Sequence, residues 1–112
     1  MAVKNIVLAI PLTSISSTTF NSTYQLVNTG GLPHACFLLK MTNNSNVDIT
    51  ISYDGVNDHD FLRNDDELQI ASQTNSQPNN FVALFGVGLK VYVKGIAGMG
   101  SVYLAGYYQP QG

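Results

Sequence analysis

The chain has 112 residues, 45% of them hydrophobic, which argues against a disordered tract and leaves room for one core and no second. Only 11% are charged, against about 25% in ordinary soluble domains, and the net charge is −2. The five cations, Lys4, Lys40, Arg63, Lys90 and Lys94, form no cluster able to neutralise a run of phosphates, which argues against nucleic acid as a partner.

Polarity comes instead from Asn, Ser and Thr, as in residues 13–19 and 42–46. So weakly charged a surface gives little colloidal repulsion, and suits a chain covered by neighbours in an oligomer or larger assembly. At the N-terminus, Lys4 followed by the apolar stretch 6–10 has the outline of a secretory leader. The stretch is too short, however, Pro11 interrupts it and no small-residue cleavage site follows, so it is read as a first strand. No run approaches the roughly 18 apolar residues that cross a membrane, and no membrane partner is expected. Without a secretory route, the sequons at Asn21 and Asn43 are read as accidents of an Asn-rich composition.

Period-two alternation, the mark of half-buried strands, then recurs along the chain. Strands are predicted at 5–10, 23–28, 35–42, 47–53, 67–72, 80–85, 89–94 and 101–108. In 47–53, Val47, Ile49, Ile51 and Tyr53 share one face, with Asp48, Thr50 and Ser52 on the other. In 89–94, Leu89, Val91 and Val93 oppose Lys90, Tyr92 and Lys94; in the last strand Val102 and Leu104 oppose Ser101, Tyr103 and Ala105. Turn chemistry separates them at Gly30-Gly31-Leu32-Pro33, Asp54-Gly55, Pro78-Asn79-Asn80 and 95–100. Residues 73–80 are expected to form an exposed tip, and Pro110 ends the last strand. The expected fold is all-β: a single-domain antiparallel β-sandwich over residues 1–112, jelly-roll-like, with about eight strands.

Every carboxylate but Asp48 lies between Asp54 and Glu67, which makes 54–67 the one stretch with the look of a site. Asp54, Asn57, Asp58 and Asp60 supply the oxygen donors a Ca²⁺ ion wants. The spacing lacks the central Gly and the closing Glu of an EF-hand loop, and the alternative is a solvated loop whose side chains cap turns. No metal or cofactor is assigned. His59 lies between Asp58 and Asp60, but neighbours on a strand point to opposite faces, so neither would orient it as a base. No nucleophile elbow or phosphate loop occurs, and no catalytic residue is assigned. Cys36, alone in an apolar run, reads as a buried small hydrophobe; zinc has no ligand set. Tyr92, Tyr103 and Tyr107 fall opposite the apolar residues of their strands and, with Gln109 in the C-terminal arm, are the interface candidates.

Residues 49–62, ITISYDGVNDHDFL, followed further on by GLKVYVKGIAGMGSVYLAGYY at 88–108, resemble small structural proteins of tailed-bacteriophage virions. Those carry a strand ending in S-[FY]-D-G, an N-D-H cluster, a strand containing K-G and a final aromatic strand. The likeness spans residues 36–108, about two-thirds of the chain, and is greatest to capsid decoration or cement proteins of short-tailed phages. It implies a non-enzymatic role by contact in the virion, after synthesis in the bacterial cytoplasm. The partners would be the major capsid protein and further copies of the chain, bound over capsid subunit junctions. A tail, collar or head-to-tail accessory protein is the alternative. A second is a carbohydrate-binding β-sandwich using Tyr92, Tyr103 and the acidic loop.

Overall fold

A computed structural model describes residues 7–71 and 85–108. Nine strands run β1 (Leu8–Ala9), β2 (Thr13–Ser16), β3 (Gln25–Leu26), β4 (Leu38–Ser45), β5 (Ile49–Ser52), β6 (Asp60–Leu62), β7 (Asp66–Ala71), β8 (Tyr92–Gly95) and β9 (Gly100–Tyr108). A single 3₁₀ turn, Ser17–Thr19, follows β2. All ladders are antiparallel. One sheet has the order β1-β9-β4-β7, with β2 pairing along the same edge of β9; the other has the order β3-β8-β5-β6.

β1 and β2 are one strand interrupted. Leu8 pairs with Tyr108 and Ala9 with Tyr107, but Thr13 pairs with Leu104, so the register slips by a residue around Pro11. A bulge is where a strand tolerates proline, whose missing N–H would otherwise leave a gap in the ladder. Counting the pair as one strand gives two four-stranded sheets with sequential order 1-8-3-6 and 2-7-4-5, the double Greek key of a jelly roll. The all-β antiparallel sandwich expected from alternation is therefore what forms.

Alternation also sets the core. Leu39 and Met41 of β4, Ile49 and Ile51 of β5, Val93 of β8 and Val102 and Leu104 of β9 all point between the sheets and are buried. Ile10, Phe20, Val27, Leu32, Cys36, Leu62 and Val91 close the ends of this layer. Cys36 is a free thiol there, and burial raises its pKa.

Several elements depart from expectation, each for a local reason. β4 runs on to Ser45 because its inward polar residues are satisfied inside the fold. The buried Asn43 amide donates to the carbonyls of Val47 (2.9 Å) and Arg63 (3.1 Å), and its oxygen accepts from the Ser45 backbone N–H and hydroxyl. This sequon asparagine is sealed from solvent, whereas Asn21 of the other is exposed and caps its own turn. β3 shrinks to two residues because Asn28 replaces strand with side chain: its amide donates to Leu89 O (3.0 Å) and accepts from Val91 N (2.8 Å). β2, largely polar, and β6, only three residues long, were not foreseen as strands. Of the strand expected at 80–85, only Phe85 lies within the described residues, and it forms an isolated bridge with Cys36.

The connections gather at the two ends of the sandwich. At one end, segments 17–24, 46–48, 63–65 and 96–99 meet, tied by bonds such as Gly95 N–H to Asn21 O and Asn64 N–H to the Asp48 carboxylate. The 27–37 and 53–59 connections occupy the other end. Among the described residues no helix is long and apolar enough to cross a membrane.

Candidate functional site

The acid-rich corner follows directly from β5. Ser52, buried at the strand's last position, turns its hydroxyl to accept from the N–H groups of Asp54 (3.2 Å) and Gly55 (2.9 Å). The same hydroxyl donates to Asp54 Oδ1 (2.8 Å). That oxygen also accepts from the N–H of Val56 and of Asn57, each at 2.8 Å, and Oδ2 accepts from the Asn57 amide at 2.8 Å. The carboxylate thus plugs the donors of its own turn. The Asn57 and Val56 N–H groups foremost, then the Asn57 and Ser52 side chains, hold its pKa well below the usual carboxylate range. Gly55 takes φ +78° here, and a Cβ on it would stand 3.2 Å from the Tyr92 ring.

The other acids of the cluster turn elsewhere. Asp58 accepts from the Tyr24 hydroxyl and lies 3.1 Å from Lys94 Nζ, which itself sits 4.5 Å over the Tyr24 ring. The Tyr24 bond first, and Lys94 after it, lower the Asp58 pKa, while Tyr24 is pushed up to about 12 by partial burial and then by Asp58. Asp60 accepts from the Tyr53 hydroxyl at 2.6 Å; burial and this bond raise the Tyr53 pKa. His59 accepts the Tyr53 N–H at Nδ1 (3.0 Å), leaving the proton of the neutral ring on Nε2, 3.9 Å from Asp54. Neither flanking aspartate orients it. Asp54, Asn57, Asp58 and Asp60 were expected as possible common ligands, but their oxygens serve three separate hydrogen-bond groups. Among the described residues no three His, Cys, Asp or Glu side chains converge on a point. Chemically, this corner holds a turn in place.

The tyrosine candidates do not share a face. β8 and β9 lie in different sheets, so side chains pointing away from the core point in opposite directions. Tyr92 stands on the outside of the second sheet beneath Gly55. Tyr103 and Tyr107 stand on the outside of the first, where with Leu12, Lys40, Thr42 and Ala105 they line a shallow depression of about 370 Å³. The three tyrosines therefore form no single stripe, and Tyr92 does not share an outer face with Tyr103. Alternation told which side of each strand was outward, but not which sheet each strand joined. Gln109 lies outside the described residues.

A feature the sequence did not flag is the 96–99 loop. Ile96 is 79% exposed and Met99 is 73% exposed, the first far more than a β-branched aliphatic usually is. The loop is nonetheless firmly held. Gly98 N–H donates to Ser17 O (3.0 Å), Asn46 N–H to Met99 O (3.1 Å), and Met99 N–H to the Asn46 side chain (2.9 Å). Gly98 lies so close to Asn46 Oδ1 that a Cβ would approach it to 2.4 Å. The available signal was an Ile and a Met inside a glycine-rich turn, where polar residues are the rule. No family model, curated protein or solved structure matches the chain.

Proposed function

We propose that the chain is a structural protein of a tailed-phage virion, decorating and stabilising the capsid by binding at subunit junctions. The observation that carries this reading is a low-charge jelly-roll sandwich that holds apolar side chains outward on a pinned loop. Exposed apolar residues on rigid backbone bind with little ordering cost, which suits a protein that acts by contact. The acidic corner supports the same reading, because Asp54 is spent on its own turn, and Asp58 and Asp60 on tyrosine hydroxyls, rather than on a common ligand point. A jelly roll hosts many functions, so the fold adds only an analogy with other virion proteins.

The test is binding of purified chain to expanded phage shells. Stoichiometric binding with a raised shell melting temperature is the expected result. Absence of the chain from purified virions defeats the proposal. Copy number separates decoration, with hundreds of copies, from a head-to-tail accessory ring, with on the order of six or twelve by closed symmetry.

A further inference from the structure

The pinned loop and the tyrosine-lined depression are complementary to each other. We propose that copies of the chain associate heterologously, the 96–99 loop of one seating Ile96 and Met99 in the Leu12, Tyr103 and Tyr107 depression of the next. The loop supplies two apolar side chains on a fixed backbone. The depression supplies an apolar floor at Ala105 between two tyrosine rings, against which a thioether packs well.

Charge favours this pairing over its alternatives. Among the described residues, Lys40 is the one charged residue lining the depression. The loops around the tip carry Asp48 and Asp65 against Arg63, and the Asp48 carbonyl oxygen would meet a Cβ on Gly95, next to Ile96, at 2.8 Å. Loop against loop would bring like carboxylates together, and depression against depression would bring two Lys40 ammonium groups together. Loop into depression sets acids near Lys40, while Glu67, across from Thr42 on β7, stands where Arg63 can approach it.

The loop is at an end of the sandwich and the depression on its side, so the contact joins two different patches and, where it is not reciprocated within a pair, repeats into rings or arrays. Its footprint falls short of the roughly 800 Å² per partner of a stable pair. A dissociation constant on the order of 0.1–1 mM follows for the free chain. It becomes effective wherever copies are already held close together.

The experiment is amide NMR of the full chain from about 10 μM to about 1 mM, a range that brackets that constant. Concentration-dependent shifts are expected at both patches. Met99→Asp and Ala105→Glu should each abolish them while keeping a folded spectrum. Mixing the two variants should restore shifts, because one keeps its depression and the other its loop. As a second readout, Met99→Cys in one copy and Thr42→Cys in another should form a disulfide-linked pair, with buried Cys36 remaining unreactive. Fixed shifts at about 1 mM, shifts at one patch only, or no restoration on mixing overturns the proposal. Shell binding is scored separately: if Met99→Asp loses shell binding without any self-association in the parent, the loop serves another protein, and this inference fails while the virion reading stands.

Discussion

Asp54 shows how one side chain can look like a site and be a fastener. Its two oxygens take up the N–H groups of Val56 and Asn57, the Asn57 amide and the Ser52 hydroxyl, all within the six residues 52–57. Residue types therefore signalled the corner correctly, but its chemistry depended on which donors faced each oxygen. Those directions belong to the turn rather than to the composition. The depressed pKa of Asp54 has a consequence for acid stability. The folded value lies below the unfolded one, so its contribution is fully present above about pH 3.9 and is lost as pH falls toward the folded value. Asp54→Asn should flatten the decline of melting temperature between about pH 5 and about pH 2, with Asp58 leaving a residual slope. Thermal melts across that range check this, and an unchanged acid limb would disconnect the turn from acid stability.

At the scale of elements, the strands that could be read were those whose inward residues are apolar. β9 alternates cleanly between core and outer face, and β5 and β8 set Ile49, Ile51 and Val93 inward. β2 escaped because its inward positions are Thr13 and Ile15 in a run of Ser and Thr, which looks like a loop. β6 escaped because Asp60, Phe61 and Leu62 are too few to show a period, and Phe61 is exposed. The second half of β4 lay beyond the strand expected at 35–42 because Asn43 and Ser45 are polar, although both are buried and bonded. Where β9 begins, backbone comes nearest to backbone. Gly100 has φ +105°, and a Cβ there would lie 2.2 Å from Asn44 O. Gly100→Ala should cost at least about 2 kcal/mol, from the left-handed backbone and from displacing β4 together. Urea denaturation should show a lower midpoint with little change in slope; an unaltered midpoint would mean that the β4–β9 start can shift without penalty.

For the whole molecule, the all-β sandwich was within reach of pattern, while the assignment of strands to sheets was not. That assignment separated Tyr92 from Tyr103 and Tyr107, and it was set by long-range pairing that no local window contains. The same pairing gives β9 an unusual position in time. It is the last of the described strands to leave the ribosome, yet it lies inside its sheet, bonded to β1, β2 and β4. Until it emerges, the edges of β2 and β4 stay open, and the nascent chain presents unpaired strands to its neighbours. Sheet closure therefore waits on β9 and is dominated by sequence-distant contacts, which places refolding in the millisecond-to-second range typical of all-β domains. A chain lacking residues 100–108 should show no cooperative melt by circular dichroism, since Val102 and Leu104 leave the core with it. A copy terminated before residue 100 thus has no finished first sheet, because both β2 and β4 lack the neighbour that joins them.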